Sequence, residues 1–203
     1  TISVENGGLL LMTGNANIGN GGGTTSFVQT GGDVSFGGTF SLARTAAWTC
    51  TVSLSGGSFT VGALDMNQAG TARFDIIGAD PIVNVTGALS SKAATTFGFT
   101  TVDGGLATLN VGSAATLAGT IDMATLGLAP AGGSVFNLIT VATGSVSIAN
   151  LALSAEDQAD WSLQVSDDGM SVQAVYSVPE PATMGLLGLG LVGLAARRRS
   201  RKA

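Results

Sequence analysis

Thr30-Gly31-Gly32-Asp33-Val34-Ser35-Phe36-Gly37 and Ser55-Gly56-Gly57-Ser58-Phe59-Thr60-Val61-Gly62 share one pattern, at an offset of 25. Each has a hydroxyl residue, two glycines, a variable position, then apolar, hydroxyl, apolar and glycine. Working outward, Val83-Asn84-Val85-Thr86-Gly87-Ala88-Leu89 repeats the end of the second unit, with Gly-Ala-Leu recurring at the same offset. Gly104-Gly105-Leu106-Ala107-Thr108-Leu109-Asn110-Val111-Gly112 restores the paired glycines. Gly37, Gly62, Gly87 and Gly112 therefore fall on one register, and Gly132-Gly133-Ser134-Val135-Phe136-Asn137-Leu138 continues it with an expected slip of about one residue. Between glycines the alternation has a period of two (Val52 and Leu54, Phe59 and Val61, Phe74 and Ile76, Val83 and Val85), the pattern of a strand with one buried side. Glycine suits the sharp corners between such strands because it adopts positive φ without a steric penalty.

A unit of about 25 residues with two or three short strands cannot bury its apolar side alone; stacking on copies of itself does so. The expected fold is all-β: a right-handed parallel β-solenoid over residues 1–134, with roughly six coils about 4.8 Å apart. A β-sandwich of evenly spaced hairpins is the alternative, but nothing in a sandwich requires equal spacing. Residues 135–177 change character and are expected to close the stack. Val135-Phe136-Asn137-Leu138-Ile139-Thr140 is a candidate buried strand, and Glu156–Asp160 a polar turn or short helical piece. Trp161–Val165 and Met170–Val175 alternate around Asp167-Asp168-Gly169, which is expected to be a hairpin turn. An open stack needs such an atypical end unit to cover its last coil.

Composition excludes several activities. There is no His, so no Ser-His-Asp or Cys-His nucleophile and no imidazole metal site; the single Cys50 allows neither an intrachain disulfide nor a cysteine zinc cluster. Cys50 replaces a small apolar residue and is expected to be buried and inert. Aromatic and basic residues are too few for a nucleic-acid reader, and no cofactor is expected. Asp65, Asp75, Asp80, Asp103 and Asp122 are the candidates for carboxylate chemistry, but none is paired in sequence, and only Asp80 and Asp103 approach the spacing of the repeat. Trp48, Trp161 and Tyr176 could stack on sugars, but without a stripe of partners they suit a core or cap better. The expectation is a protein that is not an enzyme.

Charge divides the chain in two. Residues 1–178 carry a net of −9 and residues 179–203 a net of +4. The tail reads Val178-Pro179-Glu180-Pro181, then fifteen uncharged, largely apolar residues (182–196), then Arg197-Arg198-Arg199-Ser200-Arg201-Lys202. Prolines hold the first part extended and accessible. As a helix the apolar run would span about 23 Å, short for a hydrocarbon core of about 30 Å, and its glycines would leave a thin face for a partner helix. The basic cluster would stay on the cytoplasmic side. We therefore expect a single short transmembrane helix here, with the body outside the inner membrane. The sequence begins at Thr1 rather than Met, and the repeat runs close to it, so we expect the C-terminal part of a longer chain, a removed signal peptide being the alternative.

Two family resemblances follow from these residues. The glycine-led units over about residues 26–176 resemble the autotransporter-associated β-strand repeats of bacterial surface proteins. The order of Val178-Pro179-Glu180-Pro181, apolar segment and Arg197, Arg198, Arg199, Arg201 and Lys202 resembles the PEP-CTERM sorting signal of Gram-negative bacteria. The second resemblance implies an exosortase as partner, cleavage near Pro179–Pro181, and release or surface attachment of the body. It also implies association with exopolysaccharide and biofilm matrix. The function expected is thus a structural surface component; a polysaccharide-binding adhesin is the second reading, and a β-helix lyase or hydrolase the third. The second predicts an exposed aromatic or Asn ladder, the third at least two converging carboxylates.

Overall fold

The computed structural model describes residues 1–19 and 22–177. Over these residues the chain is an all-β solenoid of about five turns, somewhat fewer than the roughly six coils expected. The first turn is β1 (Ile2–Val4), β2 (Leu9–Met12) and β3 (Ala16–Ile18). The next two turns are single long bent strands, β4 (Gly23–Leu42) and β5 (Trp48–Asp65). The chain then breaks into β6 (Thr71–Ile77), β7 (Ile82–Val85) and β8 (Leu89–Ser90), followed by β9 (Thr95–Val102), β10 (Leu109–Val111) and β11 (Ala115–Thr116). Last come β12 (Gly119–Leu126), β13 (Val135–Val141), β14 (Leu151–Leu153), a 3-10 turn at Asp157–Ala159, β15 (Trp161–Val165) and β16 (Ser171–Tyr176).

Parallel pairing arranges these strands in three stacks. The first runs through β1, the starts of β4 and β5, then β6, β9, β12 and β14. The second holds β2, the middles of β4 and β5, then β7, β10 and β13. The third holds β3, the ends of β4 and β5, then β8 and β11. Period-two alternation sends one set of side chains into the space between the stacks. On the first stack Phe27, Val52, Phe74, Phe97 and Ile121 stand in register and are all buried. Phe59 enters from the second stack and meets Phe27, Phe36, Phe40 and Phe74 edge-on at centroid distances of 6.0, 6.3, 5.5 and 5.9 Å. Edge-to-face rings at such distances add about 0.5–1.5 kcal/mol per pair to area burial.

The glycines work in two ways. Gly32 and Gly57, the second of each leading pair, have φ of +71° and +79° and turn the chain between the first and second stacks. The register glycines Gly37, Gly62 and Gly87 stack at the next corner without positive φ. A Cβ on Gly62 would lie 2.4 Å from the carbonyl oxygen of Gly37, and one on Gly87 2.5 Å from that of Gly62. Close approach of one turn to the next, rather than backbone conformation, demands glycine at this corner. At Gly112 the stack slips by one: its Cβ would meet the carbonyl oxygen of Thr86 at 2.3 Å, not that of Gly87.

The even spacing expected from sequence also loosens. Phe27 lies beside Val52, at an offset of 25, but Val52 lies beside Phe74, at an offset of 22. The step from β10 to β13 pairs Leu109 with Ile139, at an offset of 30, so the expected one-residue slip at Gly132-Gly133 is instead an insertion of about five. Those extra residues form the exposed loop before β13. β13 lies parallel to β10 on one side and antiparallel to β16 on the other, with a bulge at Asn137–Ile139 that turns both Leu138 and Ile139 inward. Val135, at its start, is exposed rather than buried. β15 and β16 form the hairpin, and Gly169 at φ +72° closes its turn with its N–H donated to Ser166. β15 also touches β14, which brings the ends of the first and second stacks together over the last turn.

Among the described residues no helix is long and apolar enough to cross a membrane. The transmembrane helix expected at 182–196 lies outside the described residues, as do Val178–Pro181 and the Arg197–Lys202 cluster.

Candidate functional site

The outward side of the second stack carries a polar ladder. Ser35, Thr60, Asn84, Asn110, Thr140 and Ser171 stand beside one another on successive strands. They point outward because the neighbouring residues, Phe59, Val83, Leu109 and Ile139, are claimed by the core. The middle of this ladder is the wall of a shallow groove of about 360 Å³, lined by Thr60, Asn84, Thr86, Asn110 and Thr140 together with valines and small residues of the adjoining corner. Three strand steps separate Thr60 from Thr140, a length of about 14 Å. Asn110 donates through Nδ2 to the carbonyls of Val83 (3.3 Å) and Thr108 (3.4 Å), which fixes its amide and leaves Oδ1 as an acceptor. Thr140 shares a hydrogen bond of 2.9 Å with Ser171. The groove lining contains no charged and no aromatic side chain. Its chemistry is that of neutral donors and acceptors in a row; it has no group for proton transfer.

A second constellation occupies the outward side of the first stack. Asp75 on β6 and Asp122 on β12 both lie beside Gly98 of β9, from opposite sides. Arg73 reaches across that glycine. Its Nε lies 2.8 Å from Oδ1 and 3.1 Å from Oδ2 of Asp75, and its Nη2 lies 2.6 Å from Oδ2 of Asp122. A Cβ on Gly98 would clash with the Asp75 carboxylate and with Nη2 of Arg73, so the absence of a side chain there opens the path. Burial pushes the Asp75 carboxyl above its ordinary range; Arg73 opposes this and the charge of Asp122 adds to it. Burial acts against the charge on Arg73, but its hydrogen bonds and attraction to both carboxylates outweigh that and raise its pKa. The two carboxylates converge as an acid–base pair would, but one guanidinium sits between them and holds both. An ion pair of this partial exposure contributes about 1 kcal/mol or less.

The remaining candidates are separate. Asp65 accepts hydrogen bonds from Asn67 N (3.0 Å), Ser90 Oγ (2.9 Å) and Gln68 at the end of β5. Asp103 accepts from the backbone N–H of Leu128 at 3.1 Å instead of stacking on Asp80. Asp168 accepts from Ser166 Oγ (2.5 Å) and Met170 N (2.9 Å) within the hairpin turn, which lowers its pKa. Among the described residues no three carboxylate or thiol groups could hold a metal ion together. Cys50 is fully buried, donates to the Ile18 carbonyl at 3.2 Å, and has its pKa raised by that burial. Trp161 is buried between Phe136 and Tyr176, at centroid distances of 5.9 and 4.8 Å, so it serves the hairpin rather than an open platform.

The Asn84–Asn110 step was within reach of sequence reading. Val83-Asn84-Val85 and Leu109-Asn110-Val111 have the same pattern, but their offset is 26, and a strictly constant frame separates them. The Arg73–Asp75–Asp122 network had no such signal, because it skips one turn and depends on a glycine in the turn between.

The tail joins this fold at its closing hairpin. The backbone N–H of Tyr176 donates to Ser134 O at 2.9 Å and that of Ser177 to Asp160 O at 2.7 Å, so the last described residue is tied down. A family model described as the PEP-CTERM protein-sorting motif matches residues 177–199. No curated protein and no solved structure matches the chain.

Proposed function

We propose that this chain is an exported, non-enzymatic surface rod that its C-terminal tail delivers to an exosortase. The observation that carries this reading is the sorting-motif match, which begins at Ser177, one residue after the last strand of the closing hairpin. A processing enzyme would meet Val178-Pro179-Glu180-Pro181 directly after the closing hairpin. Before processing, residues 182–196 hold the precursor in the inner membrane, with Arg197, Arg198, Arg199, Arg201 and Lys202 on the cytoplasmic side. After cleavage the body is at the cell surface or in the extracellular matrix. Its turns wind right-handed, as parallel crossover connections do, and its glycine-led units act as the autotransporter-associated repeats they resemble, as spacers that present polar side chains.

The test is the intact mass of the body recovered from a host with and without its exosortase. A product ending near Pro179–Pro181 only when the enzyme is present is the expected result. Retention of Arg197–Ala203 in both hosts would make the tail a plain anchor.

The groove favours one further reading, a neutral extracellular polysaccharide as ligand. Thr60, Asn84, Asn110 and Thr140 offer donors and acceptors at the strand spacing, without charge. Asn84→Ala with Asn110→Ala should abolish retention on a neutral-glycan affinity gel while leaving the fold intact. Equal retention of variant and parent would remove this reading.

A further inference from the structure

From Ala124 to Gly133 the chain carries no charge, reading Ala-Thr-Leu-Gly-Leu-Ala-Pro-Ala-Gly-Gly. All but Pro130 are exposed. Leu128 is 73% exposed, Leu126 55% and Val135, just beyond, 50%. Leu126 pairs with the partly exposed Val102, and the Asp103 carboxylate holds the loop in shape through the N–H of Leu128. Large apolar side chains gathered on one uncharged loop mark a contact surface rather than ordinary surface scatter.

The position of the loop identifies what it contacts. Its last residue, Gly133, donates its N–H to the carbonyl of Tyr176 at 2.7 Å, so the loop ends where the chain departs toward the tail. The four residues Val178–Pro181 separate Ser177 from the apolar run and span at most about 14 Å. Leu128 is five residues from Gly133, a reach of at most about 18 Å. An apolar run that enters a bilayer therefore keeps the bilayer surface within about 14 Å of the point where this loop is anchored at Gly133.

We propose that Leu126 and Leu128, with Val102 beside Leu126 and Val135 just past the end of the loop, rest in the lipid surface while the tail is inserted, and so fix how the solenoid stands on the membrane. This rests on the membrane-held precursor of the proposed function. The contact is apolar, with side chains entering the boundary between headgroups and acyl chains. The opposite end provides a control: Leu11 on β2 is 65% exposed but lies five strand steps from β13, about 24 Å away.

The experiment uses the full chain. Cys50 is fully buried, so Leu128→Cys, Val135→Cys and Leu11→Cys can each be labelled selectively with a nitrobenzoxadiazole probe, the parent chain serving as blank. Each is mixed with phosphatidylethanolamine–phosphatidylglycerol vesicles containing doxyl-labelled lipid. The expected result is co-flotation of all three, with emission from positions 128 and 135 falling to roughly half or less while position 11 keeps nearly all of its signal, since only side chains entering the interface reach the quencher. Flotation without quenching at 128 and 135 overturns the proposal and leaves the anchored precursor standing. Equal quenching at 11 shows adsorption without orientation and also overturns it. A blue-shifted but unquenched probe at 128, lost when residues 182–203 are removed, shows the tail folded over the loop instead. Failure of every chain to float overturns the membrane-held precursor and this contact together.

Discussion

From Gly23 to Asp65 the chain makes two turns from two strands of 20 and 18 residues, whereas from Thr71 to Val141 it uses eight strands, none longer than 8. In the first region glycine corners stack on glycine corners, and Phe27, Phe36, Phe40 and Phe59 fill the interior. In the second region the corners lengthen and their geometry varies from turn to turn. The features that distinguish the molecule's surface belong largely to this irregular region: the Asn84–Asn110 groove, the Arg73 bridge and the exposed loop at Leu126–Ala129. Regular stacking yields a uniform surface; departures from the period place particular side chains next to one another.

If this contrast is sound, damage to the regular region should cost most. Phe59→Ala removes a ring shared by four others and should destabilise the fold by about 3–5 kcal/mol in chemical denaturation. Half-buried Phe136, in the last turn, should cost clearly less when truncated in the same way. A similar cost for both would mean that the cores of the two regions do not differ in packing.

Next in size is a pair of glycines. Gly62→Ala places a methyl group 2.4 Å from a backbone oxygen of the turn below, which cannot yield without parting the strands. A loss of roughly 2–4 kcal/mol is expected, as for other core overpacking and strain. Gly104→Ala, at φ +79° with nothing within 4 Å of its Cβ, should cost only the backbone strain of about 1 kcal/mol. Thermal denaturation of the two variants compares close approach with conformation directly.

Arg73→Met should cost about 1 kcal/mol or less, because its ion pairs are partly exposed. A loss above about 3 kcal/mol would instead identify a buried, structure-determining pair.

The smallest effects are in titration, where the solenoid and its hairpin should differ in sign. The folded pKa of Asp75 lies above its ordinary 3.8, so its contribution to stability is fully present below that pH and is lost as the pH rises through the folded value. The pKa of Asp168 is lowered, so its contribution is present above 3.8 and is lost as the pH falls through the folded value. Carbon-13 titration of the carboxyls should show Asp75 moving further up in Arg73→Met and back down in Asp122→Asn. Movement of Asp75 in the opposite directions would show that the charges at this site are arranged differently.

Much of this was legible in the sequence, and the limits have physical causes. Strand alternation at Val52–Leu54 and Phe59–Val61 showed the buried side, because period two is a property of the strand itself. The hairpin at Asp167-Asp168-Gly169 was legible because its turn chemistry is local. The reason for Gly62 was not: positive φ is the usual explanation for a corner glycine, and only the turn below reveals the close approach. Asp75 and Asp122 could not be paired either, since their meeting depends on two successive turns of unequal length and on Gly98 between them. The tail was read from the order of its parts, a property of sequence alone.

The register glycines also bear on how such a molecule can change length. A corner that already packs against a copy of itself, as Gly62 does on Gly37 and Gly87 on Gly62, accepts another copy as readily as the existing one. Duplication or loss of one whole turn, such as the stretch from Gly38 to Gly62, would therefore lengthen or shorten the rod by one strand spacing and leave the closing hairpin and its tail untouched. Insertions of one or two residues would be absorbed most readily where corners are already loose, beyond Thr71. Descendants of this gene should accordingly differ in whole turns toward the first end and in loop length toward the second.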